Sequence, residues 1–309
     1  MQKENTLVTV IVITYNSSKT VVETLNSIYN QTYHNIELII SDDCSIDNTI
    51  TICEKWIQKN KDRFKKAMLI TTPVNTGTSG NLNRAIHKTS GIWCKSIAAD
   101  DRLLPDCIEK FMKHIAKNPK QRIIFAKVIG FGNIEAAQKW PFKNVKWLFD
   151  NLSARDMKFL ICQTNFLPAP SVIIKTDVFK QIGGYDESIP LLEDWPFWVK
   201  AVFNGINLFF CNEFVAEYRF SNSSISQKEN HISPIYLISS DKSVKYAHEH
   251  LSQINLFMRF YAWTRYLKNS GSPLGRVLYF FNIINPDFYV LKTVKRKLSF
   301  FKQHHQELE

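Results

Sequence analysis

The chain has 309 residues, of which 45% are apolar and 22% charged, an ordinary globular composition that excludes intrinsic disorder and suffices for one large α/β domain with an appendage. Its 39 Lys and Arg against 28 Asp and Glu leave a net charge of +11, which suits anionic partners but does not choose between phosphates, nucleic acid and lipid headgroups. Six cysteines without a C-x-x-C pair exclude a zinc-ribbon spacing and read as free thiols of a reducing compartment.

Leu7 to Ile13 is a near-continuous apolar run, as expected of a strand covered on both faces. The opening Met1 to Asn5 leads into this run of about seven residues, which is too short for a signal-peptide h-region with its usual flanks, so no signal peptide is expected. Helical spacing follows over 18–30, with Val21, Val22, Leu25 and Ile28 on one side. Ile36 to Ser41 reads as a second buried strand, and Ile46 to Lys59 as a helix with Ile50, Cys53 and Ile57 inward. Met68 to Thr71, a helix over Asn81 to His87, and Trp93 to Ala98 continue the alternation. The pattern is βαβαβαβ, predicting a mostly parallel sheet with right-handed crossovers. Pro105 opens the next helix, which ends near Asn118, and Arg122 to Val128 is another strand. Residues 129–170 read as a loop-and-helix insertion rich in aromatics. Ser171 to Lys175 and Leu208 to Tyr218 are strands around a helix from Trp195 to Phe203, and the chain beyond Ser226 turns helical. A boundary near 219–232, where Ser, Asn and Gln cluster, divides an α/β unit over 1–222 (halves near 1–128 and 129–222) from a helical segment over 223–309.

In an open parallel sheet, ligands bind beyond the carboxyl ends of the strands. There stand Thr14-Tyr-Asn16, Ser41-Asp-Asp43 and Ala99-Asp-Asp101. Neither G-x-G-x-x-G nor G-x-x-x-x-G-K-[ST] occurs, which removes most of the weight from dinucleotide oxidoreductases and P-loop NTPases. The Tyr15 ring can stack on a base, and the Asp43 carboxylate can accept a base N–H. Asp100 and Asp101 beside a diphosphate make sense with Mg²⁺ or Mn²⁺ between them. Singly, such acids are more often caps or turns, and Asp42 and Asp47 are read that way.

Five blocks in order, Val10-Ile-Val-Ile-Thr-Tyr-Asn16, Ser27-Ile-Tyr-Asn-Gln-Thr-Tyr33, Ile36-Glu-Leu-Ile-Ile-Ser-Asp-Asp-Cys-Ser-Ile-Asp47, Asn75-Thr-Gly77 and Ala98-Ala-Asp-Asp101, resemble the signatures of family-2 glycosyltransferases. Phe179-Lys-Gln-Ile-Gly-Gly-Tyr-Asp-Glu187 and Leu192-Glu-Asp-Trp-Pro-Phe-Trp198 are similar to that family's acceptor-side block, so the likeness covers about residues 7–220. The resemblance implies a GT-A fold and an inverting, divalent-metal-dependent transfer of sugar from a nucleotide diphosphate, UDP above all, to an acceptor hydroxyl. The acceptor it suggests is a surface polysaccharide such as O-antigen or capsule, or a lipid-linked glycan. Position by position, it implies Thr14, Tyr15, Asp43 and Asp100 at the nucleotide, Asp101 on the metal and Asp194 as general base. Asn83, Arg84 and Glu193 are further expected contacts to phosphate or sugar. The chain departs from the family in keeping only the last two acids of D-x-D and in carrying Ser221 where relatives have a His after Tyr218-Arg219-Phe220. The processive signature Q-x-x-R-W is absent, which suits single additions.

Two other classes compete: a basic nucleic-acid-binding α/β protein, disfavoured by acidic strand ends, and a nucleotide-sugar binder without turnover, disfavoured by intact Asp101 and Asp194. From residue 256, aromatics such as Trp263 and Tyr266 alternate with Arg259, Arg265 and Lys268, and a second basic run spans Lys292 to Lys302. This reads equally as a surface for anionic lipid or as a helical lid with a solvated basic face. Val277 to Val290 holds Asn282, Asn285, Pro286 and Asp287 and cannot span a bilayer, so the expected location is cytoplasmic, with peripheral contact at the inner face of the membrane open.

Overall fold

The computed structural model describes residues 6–133, 145–220 and 234–252, with scattered positions beyond. Among them, eight strands form one sheet: β1 (Val8–Thr14), β2 (Ile36–Asp42), β3 (Lys66–Ile70), β4 (Trp93–Ala98), β5 (Arg102–Leu103), β6 (Ile123–Gly132), β7 (Val172–Lys175) and β8 (Leu208–Phe220). Their order is β3-β2-β1-β4-β7-β6-β8-β5. Pairs β1–β2, β1–β4, β2–β3 and β6–β8 are parallel, as the alternation predicts. β7 runs antiparallel to β4 and β6, and β5 antiparallel to β8. Apolar periodicity marks a strand but carries no sign of its direction, so these reversals and the two-residue β5 were not visible in the sequence.

The sheet has a core on each face. Along β1, β2 and β6 successive side chains alternate between them. Val10, Val12, Leu38, Ile40 and Ile124 meet helices α1 (Val21–Tyr29), α2 (Thr49–Asn60) and α4 (Cys107–Lys117). Ile11, Ile39, Ile123 and Phe125 meet α3 (Gly77–Ile86), α5 (Lys146–Asn151), α6 (Ala154–Ile161), α7 (Thr176–Ile182), α8 (Asp194–Phe203) and α9 (Pro234–Ser252). Burial on both faces is why the central strands read as unbroken apolar runs. On α4 the inward stripe is Cys107, Ile108, Phe111, Met112 and Ile115.

Two helices start elsewhere than periodicity indicates. α2 begins at Thr49, because the Asp47 carboxylate accepts both the backbone N–H and the hydroxyl of Thr49. Ile46 is left 87% exposed, and Trp56, with Cys53, fills the inward face. α3 begins at Gly77, four residues early, for a reason that belongs to the site below. The expected insertion contains α5 and α6, with 134–144 outside the described residues. The expected boundary also lies largely outside them, as does most of the basic aromatic segment. α9 falls within the expected helical segment and docks on α8, where His250 meets the Phe203 ring edge-on at 5.0 Å. All six cysteines are unpaired. No helix among the described residues is long and apolar enough to cross a membrane.

Candidate active site

The parallel register sets the carboxyl ends of β1, β2 and β4 side by side. Asp43 N–H donates to the Thr14 carbonyl at 3.0 Å and Ala99 N–H to the Ile13 carbonyl at 3.1 Å. Thr14, Asp43 and the Asp100–Asp101 pair are therefore brought together at one edge of the sheet, as expected. Thr14 itself lies beneath that edge: it is 2% exposed and donates its hydroxyl to Asp42 at 2.7 Å. Asp42 also accepts from the Ser45 N–H and hydroxyl, so it shapes the turn, as read from the sequence. Tyr15 stands half exposed at the cleft, next to Asn16 in the left-handed region at φ 50°.

Asp43 is buried, and its carboxylate is the missing cap of α3. It accepts the Thr76 and Gly77 backbone N–H groups, the latter at 2.7 Å, and the Thr76 hydroxyl at 2.6 Å. Arg84 pairs with it at 3.1 Å and also donates to Thr76 and Asn81. The guanidinium thus secures the Asp43 loop, and the carboxylate is already encircled by donors. Removing one partner of such a pair leaves a buried charge short of a donor, so Arg84→Met is expected to destabilise the fold by about 2–3 kcal/mol, read by denaturant unfolding.

Asp101 is 2% exposed. One oxygen accepts the Arg219 backbone N–H at 2.8 Å, and its own carbonyl accepts the Thr24 hydroxyl at 2.6 Å. Burial, with Asp100 as a like-charged neighbour, pushes the Asp101 acid well above the usual carboxylate range, and burial raises Asp100 too. Arg219 donates from Nε to the Asp100 carbonyl at 2.7 Å and ion-pairs with Glu23. Glu23 also pairs with Arg102, and both guanidinium groups lie over the Phe131 ring, at 4.0 and 4.4 Å from its centroid. Lys95, fully buried, donates to the Pro170 carbonyl at 2.9 Å, and burial draws its amine down to about 8.

A desolvated acid pair with a free carboxylate oxygen is the donor set that hard divalent cations take. No group of three or more His, Cys, Asp or Glu side chains converges among the described residues. Such an ion would draw on Asp101 and Asp100 and complete its shell from diphosphate and water. Ser221, at the position of the relatives' His, lies outside the described residues.

Asp194 and Glu193 stand at the start of α8. They join the strand-end group through the loop ahead of them, where Pro190 packs against Gly77, and not by a side-chain contact. Asn165 Nδ2 donates to both Asp194 oxygens, at 3.0 and 3.1 Å, and the Trp195 N–H adds a third bond at 2.7 Å. Both acids keep some solvent contact yet are densely surrounded. Burial raises Asp194, and burial together with Asp194 pushes Glu193 up to about 8. The Asn83 amide is committed to the loop at 185–187. Gly183 and Gly184, at φ 76° and 70°, make the left-handed turn read from the sequence. Asn165, Thr76, Glu23 and Lys95 were not singled out from the sequence, and Arg219 was noted there without a role. Only Thr76 lies in a quoted signature, and Arg219 at the end of a readable strand. The other three gave no local signal.

A sheet covered on both faces, with acidic pairs beyond the carboxyl ends of its parallel strands, is the arrangement of the GT-A class of glycosyltransferases. Residues 1–349 of S. aureus TarS, solved with UDP, superpose at a TM-score of 0.61 with 20% identity, covering 85% of this chain and 72% of that one. A mannosyltransferase of Pyrobaculum calidifontis, solved with GDP-Man and Mn²⁺, reaches 0.53 with 15% identity, over 95% and 85% of the two chains. The glycosyl transferase family 2 model matches residues 9–183, and the chain belongs to that family. An uncharacterized glycosyltransferase of Methanocaldococcus jannaschii is 27% identical over 239 residues, 76% of each chain. TuaG of Bacillus subtilis, named as a teichuronic acid biosynthesis glycosyltransferase, is 23% identical over 264 residues, covering 85% of this chain and 96% of that one. The protein is a sugar transferase.

Proposed function

We propose that the enzyme transfers a sugar from a nucleotide-diphosphate sugar, a UDP-sugar first, to an acceptor hydroxyl with inversion. The observation that carries this reading is a buried strand-end acid, Asp101, in a chain whose second acid, Asp194, has its anion steadied by Asn165 and the Trp195 N–H. Tyr15 offers an exposed face for the base, and Asp43 holds the loop against which base and ribose rest, with Thr14 beneath. Asp101, with Asp100, would hold Mg²⁺ or Mn²⁺, which when bound neutralises charge on the diphosphate. Asp194 takes the proton of the acceptor hydroxyl as its oxygen attacks the anomeric carbon. The bond from that carbon to the diphosphate oxygen breaks on the opposite face, and its electron pair leaves with the nucleotide.

The acceptor in this reading is a growing surface polysaccharide, supported by the name of TuaG. A lipid-linked acceptor fits the basic, aromatic sequence beyond residue 256, which would rest on the inner face of the membrane while the catalytic unit stays in the cytoplasm. Acidic pairs at the ends of β2 and β4 disfavour a nucleic-acid backbone as ligand.

A thermal-shift panel of UDP, UDP-GlcNAc, UDP-glucose and GDP-mannose, each with and without Mn²⁺, tests the reading. A ligand at 100 times its Kd is expected to raise Tm by about 5 °C, and only with the metal present. Release of nucleoside diphosphate should follow for the stabilising donor. Steeply salt-dependent RNA binding, with no response to nucleotides, would overturn the proposal in favour of the nucleic-acid reading. A stabilising donor with no turnover would leave a binder without catalysis.

A further inference from the structure

The loop that delivers Glu193 and Asp194, Gly184 to Leu192, is held mainly by a helix of the nucleotide half. Asn83 on α3 meets it with both ends of its amide. Its Nδ2 donates to the Tyr185 carbonyl at 3.0 Å and to Glu187 Oε1 at 2.8 Å, and its Oδ1 accepts the Tyr185 N–H at 2.9 Å. A Cβ at Gly184 would come within 2.7 Å of that Oδ1, so the glycine is what allows so close an approach. One turn earlier, the Ser79 hydroxyl donates to the Ile189 carbonyl, and a Cβ on Gly77 would come within 2.6 Å of Pro190. From the other side, Ser239 on α9 accepts the Leu191 N–H at 3.2 Å, and Lys242 donates to the Ser188 carbonyl at 2.6 Å. The loop ends on Leu192 at φ 62°, a left-handed conformation that a branched residue keeps only where its surroundings enforce it.

Asn83 is followed directly by Arg84, which grips Asp43. Neighbouring positions on a helix point about 100° apart, so α3 holds the Asp43 loop with one side and the acid loop with another. We propose that Asn83 is a positioning residue that sets the reach of the Asp194 carboxylate and ties it to the nucleotide cradle, with Ser79 as second anchor. This rests on Asp194 being the base. Asn83 acts through the Tyr185 backbone and Glu187 and touches no substrate.

Asn83→Ala is expected to lower kcat about 10²-fold, measured as nucleoside diphosphate release from the fastest donor of the panel, with the Kd for UDP plus Mn²⁺ and the donor KM unchanged. Glu187→Ala removes one of the three bonds at an exposed residue that the fold tolerates losing, and should lower kcat ~5-fold at the same Kd. Asn83→Asp should be as damaged as Asn83→Ala, because two carboxylates then face each other. Adding Glu187→Gln, which restores a donor between them, should recover part of kcat. In an Asp194→Asn background Asn83→Ala should cost nothing more. Full kcat in Asn83→Ala and Glu187→Ala, beside an inactive Asp194→Asn, would sink the link alone. An equal loss in UDP affinity would instead make Asn83 a donor-site residue. Full turnover in Asp194→Asn would remove the base reading and this inference with it.

Discussion

Asp194→Asn is expected to bind UDP and Mn²⁺ as the parent does while losing about 10³-fold in turnover, because the amide keeps the shape of the carboxylate but cannot take a proton. The same substitution explains the pH behaviour expected of the parent. Two buried acids share this corner, and only Asp194 receives the Asn165 and Trp195 donors, so Glu193 retains the last proton, up to about 8. Both acids are raised relative to the unfolded chain. Their contribution to stability is therefore complete below the unfolded carboxylate pKa and is lost as pH rises, for Glu193 through about 8. Turnover runs the other way and climbs as Asp194 ionises. Glu193 is still protonated while Asp194 ionises, so Glu193→Gln should leave the acid limb of kcat in place, while the fall in Tm up to about pH 8 should flatten. A kcat profile and a Tm profile over pH 5–9 check both. Unchanged turnover in Asp194→Asn would end the assignment.

Asp101→Asn should show the second large effect, a loss of about 10³-fold in Mn²⁺-supported turnover together with loss of the metal-dependent rise in Tm with UDP. Its Tm without metal should be no lower than the parent's. The amide oxygen still accepts the Arg219 N–H, and the substitution removes a desolvated charge beside Asp100. A variant that kept its metal response would place the ion elsewhere.

Much of this architecture is legible in the sequence, for reasons that differ by element. β1 and β2 announced themselves because burial on both faces leaves an unbroken apolar run, and the strand-end acids followed from where such sheets bind ligands. The start of α3 could not be read, because its cap is Asp43, 34 residues upstream of Gly77, and no local pattern encodes a cap supplied from another strand. The same limit hid Asn165, which serves Asp194 from an irregular stretch without periodicity. Asn83 and Arg84 read from the sequence as helical contacts to phosphate or sugar. Their side chains turned out to be spent on Tyr185, Glu187 and Asp43, which sequence spacing cannot distinguish from ligand contacts.

The bond between Arg219 N–H and Asp101 spans 118 residues, and β8, which presents it, also closes the sheet against β5. Contacts so distant along the chain repay their loop-closure entropy only when the intervening elements have packed. During synthesis the loops after β1 and β2 can therefore assemble long before Asp101 is fixed. A nascent polypeptide stalled short of residue 219 would carry those loops without the clamp on the acid pair, which would be set only as the eighth strand docks.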